Sequence, residues 1–236
     1  MEEREMVEIN STDYHDYVIK NGKLVGEFEQ MYQKSKNVPW HQDGQENWLD
    51  IRLTVELLME YSPFDSIIDF GCGLGYFLNI LKKNVGSSKV KTTGYDISQT
   101  CCEKAKEIFP DFDFRVFDLM KDNEYNIIQS QEQTARNLFS IRGSLWYVFP
   151  KMGNVVKNIS GITKKGDFLL VSQNFPPLEN NFVGKDVIPT PEAIVEWFGS
   201  YFEPLKTIWL DDKKSQGNDN WFIGVFLRRG DKWGKD

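Results

Sequence analysis

The residues with the clearest capacity for chemistry lie in the segment Ile67-Ile68-Asp69-Phe70-Gly71-Cys72-Gly73-Leu74-Gly75-Tyr76-Phe77. An apolar run ends in three alternating glycines and passes into a helical pattern. Glycines at such a turn let the backbone take positive φ and approach a ligand closely. The spacing is G-x-G-x-G with Asp69 ahead of it, whereas the dinucleotide fingerprint G-x-G-x-x-G puts its third glycine where this chain has Tyr76. By itself such a run also suits a tight turn without a ligand.

Further acids stand at matching places downstream. Asp96 follows the next apolar run, 21 residues after Gly75. A carboxylate there can accept hydrogen bonds from both hydroxyls of a ribose; its other use is as a helix N-cap, which Ser98 can fill instead. Asp118 follows the third run, in Val116-Phe117-Asp118-Leu119. Its carboxylate can receive an adenine amino group while the Leu119 amide bonds a ring nitrogen, or it can be a solvated loop acid. Gln129-Ser130-Gln131-Glu132 closes a fourth run and faces the same crevice.

The elements that must position these residues alternate. The spacing predicts a helix over 46–61, with Trp48, Ile51, Val55, Leu58 and Met59 on one apolar face and Ser62-Pro63 as its stop. Strands are expected at Ser66–Phe70, Val90–Tyr95, Phe112–Phe117, Tyr125–Gln129 and Asp167–Gln173. Helices are expected at Tyr76–Lys82, Ser98–Phe109, a stretch ending near Ile159, and Pro191–Phe198. Leu205–Leu210 and Trp221–Leu227 form a last pair joined by a polar turn. Alternating strands and helices imply a parallel sheet covered on both faces. Ahead of it, residues 1–35 carry aromatics at loosely helical spacing and 36–45 read as a loop.

The pattern D-F-G-C-G-L-G, then Gly94-Tyr95-Asp96-Ile97-Ser98, then Phe117-Asp118-Leu119, resembles class I S-adenosylmethionine-dependent methyltransferases over residues 46–229. The resemblance implies an α/β fold: a Rossmann-like, seven-stranded, mostly parallel sheet with a terminal antiparallel hairpin and an N-terminal helical cap. It divides the chain into a cap or lid at 1–45 and a cofactor-binding domain at 46–236. It implies that Asp69, Gly71, Cys72, Gly73 and Gly75 pack against the methionine portion of the cofactor, and that Asp96 and Ile97 hold the ribose. Asp118, Leu119 and Gln129 then fall around the adenine. The N-terminal layout is similar to nodulation N-methyltransferases, which makes Trp40 and Arg52 further cofactor candidates; an arginine offers a planar fork to a carboxylate. Arg52 is otherwise a surface charge, and Trp48 reads as core.

Methyl transfer from a sulfonium needs position and exclusion of water more than a strong catalyst. Candidate bases, useful for a hydroxyl acceptor, are His41, in the loop Val38-Pro39-Trp40-His41-Gln42-Asp43, and Glu132; His15 reads as a surface histidine. Acceptor candidates are Tyr14, Tyr17, Trp146, Tyr147 and Asn174, with Phe139–Phe149 read as an aromatic insertion that either lines a pocket or packs as core. Arg136 and Arg142 flank it and suit an anionic acceptor. Asn174-Phe175-Pro176-Pro177 resembles the N-P-P-aromatic motif of nucleic-acid amino-methylating enzymes, but the order differs and it follows the fifth strand. Adjacent Cys101 and Cys102 read as packing residues, and two histidines without a Cys/His cluster give no metal site.

Composition narrows the partners. The chain of 236 residues has 28 Lys and Arg against 35 Asp and Glu, a net charge of −7, which disfavours a polyanion. Three cysteines and an acidic N-terminus without an apolar h-region suit a reduced, cytoplasmic setting. No run approaches the ~18 apolar residues of a membrane span. The expected protein is thus a methyltransferase for a small polar metabolite or biosynthetic intermediate, a monomer or homodimer, with no nucleic-acid or membrane partner. The alternatives are an NAD-type oxidoreductase and a non-catalytic S-adenosylmethionine-binding protein.

Overall fold

The computed structural model describes residues 9–121, 136–211 and 220–230. The polypeptide first forms a 3₁₀ turn at Tyr14–Tyr17, a small hairpin of β1 (Ile19–Lys20) and β2 (Lys23–Leu24), and helix α1 (Phe28–Lys34). A 3₁₀ segment at Pro39–Asn47 leads into α2 (Leu49–Met59). Then follow β3 (Phe64–Phe70), α3 (Tyr76–Val85), β4 (Gly86–Asp96), α4 (Gln99–Ile108), β5 (Asp113–Val116), β6 (Asn137–Arg142), α5 (Leu145–Val148), α6 (Met152–Ile162), β7 (Phe168–Phe175), α7 (Pro191–Phe198), β8 (Phe202–Leu210) and β9 (Asn220–Arg228).

Seven strands form one sheet in the order β5-β4-β3-β6-β7-β9-β8. Strands β5, β4, β3, β6 and β7 run parallel, and β9 inserts antiparallel between β7 and β8. The chain moves outward from β3 in one direction and then returns to β3 to build the other half. That reversal opens a crevice at the carboxyl ends of β3 and β6, the place where open α/β sheets bind ligands.

Burial on both faces explains the near-continuous apolar strands. Side chains alternate across the sheet. Ile68, Phe70, Phe139 and Ile141 join the core under α6 and α7. Ile67 and Leu138 join the core under α2 and α3. A smaller core of Tyr17, Met31, Tyr32, Leu74 and Cys101 seats the N-terminal segment on the glycine-rich turn and α4.

One strand assignment changes. The strand expected at Tyr125–Gln129 lies outside the described residues, and the strand that pairs with β3 is Asn137–Arg142. Phe139–Arg142 is therefore central sheet, and only the stretch after it remains available for an acceptor pocket. Phe139, Ser140 and Ile141 are fully buried because β3 and β7 flank them and both faces are covered. The 36–45 loop is also more ordered than its composition suggests, with 3₁₀ turns from Pro39 and left-handed backbone at Trp40 and His41. The 46–61 helix is shorter than expected, and two residues assigned to its apolar face, Trp48 and Met59, are 40% and 52% exposed.

Gly75 begins α3 at φ +83, and a Cβ there would lie 2.7 Å from Cζ of Phe114. Gly44 has no atom within 4 Å of a Cβ and an ordinary φ. Gly75→Ala is expected to lower unfolding free energy by about 2 kcal/mol, from left-handed strain plus overpacking. Gly44→Ala should stay within about 0.5 kcal/mol of wild type. Urea denaturation of the two variants checks the contrast.

Candidate functional site

The turn after β3 is tied to the end of β4. The Gly71 and Cys72 amides donate to the Tyr95 carbonyl at 2.7 and 3.0 Å. The Gly73 amide donates to Asp96 Oδ2 at 3.1 Å, and the Ser98 amide to Oδ1 at 3.0 Å. Asp96 is buried, and desolvation raises its pKa to about 6 despite these backbone bonds; the charge of Glu29 adds to the rise. Ser98 caps α4 through Oγ, as its type suggests, and that frees Asp96 from the role.

A second buried carboxylate lies beside it. The parallel register sets Asp69 opposite Ser140, whose hydroxyl donates to Asp69 Oδ1 at 2.6 Å. Burial pushes the Asp69 pKa up to about 7, opposed by the Ser140 bond and by the charge of Arg142.

Both acids line a cavity of about 410 Å³ at the sheet's reversal, within the range of small-molecule sites. Its floor is an aromatic row: Phe70 stacks on Tyr95 at 5.7 Å, and Tyr95 meets Phe117 at 5.3 Å. Gly71, Cys72 and Gly73 form one wall, and Ile97, Asp118 and Leu119 another. Asp118 Oδ1 accepts the Met120 amide at 2.9 Å, which orients its carboxylate. Asn158 donates to the Leu119 carbonyl at 2.8 Å and holds that loop.

The N-terminal segment roofs the cavity with Tyr14, Trp40 and His41, and Tyr147 and Asn174 complete that side. Trp40 lies 5.4 Å from the Tyr14 ring and 5.7 Å from the Tyr147 ring. The Trp40 side chain also hydrogen-bonds Tyr147, whose hydroxyl pKa burial raises. Gln42 fastens this roof to the glycine turn by accepting the Leu74 amide at 2.8 Å. Glu29 of α1 accepts from Ser98 Oγ at 2.6 Å and from the Thr100 amide and hydroxyl. Although desolvation pushes the Glu29 carboxyl up, those bonds outweigh it and hold the pKa below its ordinary value.

Several expected site residues lie elsewhere. Arg52 is exposed on α2 and is absent from the cavity wall. Arg142 is the arginine at the site. It donates to Asp50 Oδ2 from Nη2 at 2.6 Å and from Nε at 3.3 Å, and to Gln45 Oε1 from Nη1 at 2.7 Å. Its guanidinium also lies 4.5 Å from the Trp221 ring centre. Arg142 is thus neutralised by Asp50 and does not flank the pocket as a free cation. Arg136 precedes β6 at the sheet's amino edge, and its guanidinium covers the Phe168 ring at 5.2 Å. Tyr17 is fully buried, and its hydroxyl donates to the Ser11 carbonyl at 2.6 Å, so it anchors the N-terminal core. Trp146 is buried with Nε1 donating to the Asn174 carbonyl at 2.7 Å, and it borders a second cavity. Trp48, read as core, lines the first cavity. Gly75 serves the turn, and Gln129 and Glu132 lie outside the described residues. Gln42, Gln45, Asp50 and Glu29 were missed, because polar residues in a loop or on a short helix carry no motif. Among the described residues no His/Cys/Asp/Glu cluster could hold a metal, and no helix is long and apolar enough to cross a membrane.

Solved structures share this architecture. N-methyltransferase NodS from Bradyrhizobium japonicum WM9, in complex with S-adenosyl-L-homocysteine, superposes with a TM-score of 0.63 at 12% identity over 85% of this chain and 97% of that one. The fold is that of the class I S-adenosylmethionine-dependent methyltransferases. A SAM-dependent methyltransferase from Anabaena variabilis matches at TM-score 0.63 and 16% identity, over 86% of this chain and 93% of that one. The [4+2]-cyclase SpnF matches at TM-score 0.56 and 14% identity, over 76% of this chain and 82% of that one. The methyltransferase fold therefore also carries a cyclase, and function has to be argued from the site. No protein-family model and no curated protein sequence matches the chain.

Two predictions concern the buried charges. Asp50 and Arg142 are 3% and 9% exposed at their side chains. Asp50→Ala leaves the guanidinium with Gln45 alone and is expected to cost about 3 kcal/mol, whereas Asp50→Leu with Arg142→Met should recover most of that loss in urea denaturation. Asp69 holds its proton more tightly when folded, so its stabilising contribution is present below the unfolded pKa near 4 and is lost as pH rises through about 7. Asp96 acts in the same direction between about 4 and 6. Asp69→Asn should therefore show a smaller fall in Tm from pH 5 to pH 8 than wild type; equal slopes would mean that Asp69 titrates normally.

Proposed function

We propose that this protein is an S-adenosylmethionine-dependent methyltransferase acting on a small polar molecule through oxygen or nitrogen. The observation that carries the reading is Asp96: a buried carboxylate at the carboxyl end of β4, clamped to the glycine turn and open to the cavity. Oδ2 accepts the Gly73 amide and Oδ1 the Ser98 amide, with a further backbone bond from Ile97, and the carboxylate still lines the cavity, where it suits ribose hydroxyls. Asp118 and Leu119, on the same wall, suit the adenine amino group and a ring nitrogen. The turn from Asp69 to Gly75 suits the methionine portion. Gly143, at φ +68, has no atom within 4 Å of a Cβ, so its backbone stands open on the wall.

When bound, S-adenosylmethionine supplies a methyl group on a sulfonium, displaced in line by the acceptor. The chain's own part is to position and to exclude water. Gln42 and Glu29 hold the N-terminal segment over the cavity, which supports residues 1–45 as a cap on a cofactor domain at 46–236. Arg142 keeps N–H donors beyond those given to Asp50 and Gln45, and it replaces Arg52 as the candidate for the methionine carboxylate. His41, exposed at the cavity rim, is the candidate to take a proton from a hydroxyl or amine.

Titration calorimetry with S-adenosylhomocysteine and with NAD tests the reading: binding of the first and not the second is expected. Asp96→Ala should weaken S-adenosylhomocysteine binding by ~1.5–3 kcal/mol, roughly 10- to 150-fold, the scale of hydrogen bonds to a charged group. An affinity within about twofold of wild type would remove the ribose role from Asp96.

A further inference from the structure

A second cavity of about 290 Å³ lies behind the aromatic roof of the first. Tyr14, Trp40, Tyr147 and Asn174 line both cavities, so they stand where the two adjoin. The far side is bounded by Val18 and Ile19 of the N-terminal segment and by Trp146, Pro176, Phe182 and Val183. Trp146 stands edge-on to both Phe175 and Phe182. The walls are thus mainly apolar and aromatic, with polar atoms offered by Asn174, Tyr14 and His15.

The two cavities differ in charge. The first carries Asp69, Asp96 and Asp118, and its guanidinium is paired with Asp50. The second carries only His15, whose Nδ1 lies 2.7 Å from the Asp13 carboxylate. The Lys185 ammonium sits 5.5 Å from the Phe182 ring centre and is taken up by the carbonyls of Leu178 and Asn180. An anion in the second cavity would lose its hydration with no arginine or lysine among the described residues of its wall, whereas a ring or a cation would meet π-faces.

We infer that the second cavity is the site of the methyl acceptor, and that it takes a ring-bearing alcohol or amine without negative charge. The ring lies among Ile19, Trp146, Phe182 and Val183, and the nucleophilic atom points toward the first cavity beside Asn174, which lines both. This assignment rests on the methyltransferase reading for its chemistry. It replaces the anionic acceptor that Arg136 and Arg142 suggest in sequence.

Three probes of matched shape test it on the full-length protein, with and without saturating S-adenosylhomocysteine: 2-phenylethanol, phenethylamine and 3-phenylpropionate, with affinities read by ligand-observed NMR titration. The alcohol and the amine are expected to bind at least about 5-fold more tightly than the acid, about 1 kcal/mol. Val183→Trp, which fills the second cavity from a loop, should weaken both by a similar factor and leave S-adenosylhomocysteine affinity within about twofold. Phe182→Ala, which removes part of the same wall, should weaken the same two probes. Equal or tighter binding of the acid overturns the charge assignment. Unchanged probe binding in both variants overturns the site. Failure of wild type to bind S-adenosylhomocysteine sinks the methyltransferase reading instead, and the probe arms without it still report the cavity's ligand class.

Discussion

The arrangement that the rest of the site depends on is the pair of amide bonds into the Asp96 carboxylate. A carboxylate removed from water is costly unless donors replace its hydration. Here one donor comes from the turn after β3 and the other from the start of α4. The same carboxylate therefore fixes the glycine turn against the end of β4 and sets the wall of the cavity. Ser98 extends the connection: its amide serves Asp96 while its hydroxyl donates to Glu29 of α1. A displacement of the N-terminal segment would strip a donated bond from Glu29 one residue pair away from the carboxylate. Roof and glycine-turn wall are in this way parts of one hydrogen-bonded unit.

The buried charges on the other side of the cavity show the opposite economy. Arg142 emerges at the carboxyl end of β6, a central strand, where a free guanidinium would be poorly solvated. Asp50 of α2 and Gln45 of the preceding turns satisfy it, and the Phe77 and Trp221 rings cover it at 5.3 and 4.5 Å. Burial of such a pair is weak support for stability and stronger support for register, because one partner removed strands the other. It joins α2 to the sheet on the side where Trp40 and His41 take left-handed backbone. The strain of that loop is carried by contacts on either side of it: Gln42 to the Leu74 amide, and Gln45 both to Arg142 and to the Trp40 carbonyl.

Much of this was legible in the sequence, for physical reasons that differ from residue to residue. Alternating glycines after an apolar run announce a turn that only positive φ can close, and Gly71, Gly73 and Gly75 all take it. Alternating strands and helices announce a parallel sheet, the resemblance to class I methyltransferases implies its seven-stranded form, and Pro191 starts α7 at the expected place. What stayed hidden depends on partners far away in the chain. Arg52 and Arg142 are alike as residues, yet one faces solvent and the other meets an aspartate 92 positions earlier. Asn137–Arg142 contains Asn, Ser and Arg, which weakens its reading as a central strand. The reason those residues are tolerated is tertiary: Asn137 donates to Asp167 at 2.9 Å and Ser140 to Asp69.

The strand at Asn137–Arg142 also bears on acceptor choice. Reading Phe139–Phe149 as one insertion puts two arginines beside a pocket and suggests an anion. With β6 ending at Arg142, the aromatic stretch shrinks to Leu145–Phe149, and its members divide. Trp146 turns toward Phe175 and Phe182, while Tyr147 turns toward Phe28 and Trp40. Consecutive residues on one short helix thus divide, Trp146 lining the second cavity and Tyr147 both, and Tyr147 stands with Tyr14 and Trp40 of the N-terminal segment where the cavities adjoin. A sheet that binds a cofactor constrains its own strand ends tightly. The residues after β7 stand on the second cavity and not among the donors to Asp96, so that is where the shape and charge of an acceptor can be set without disturbing it.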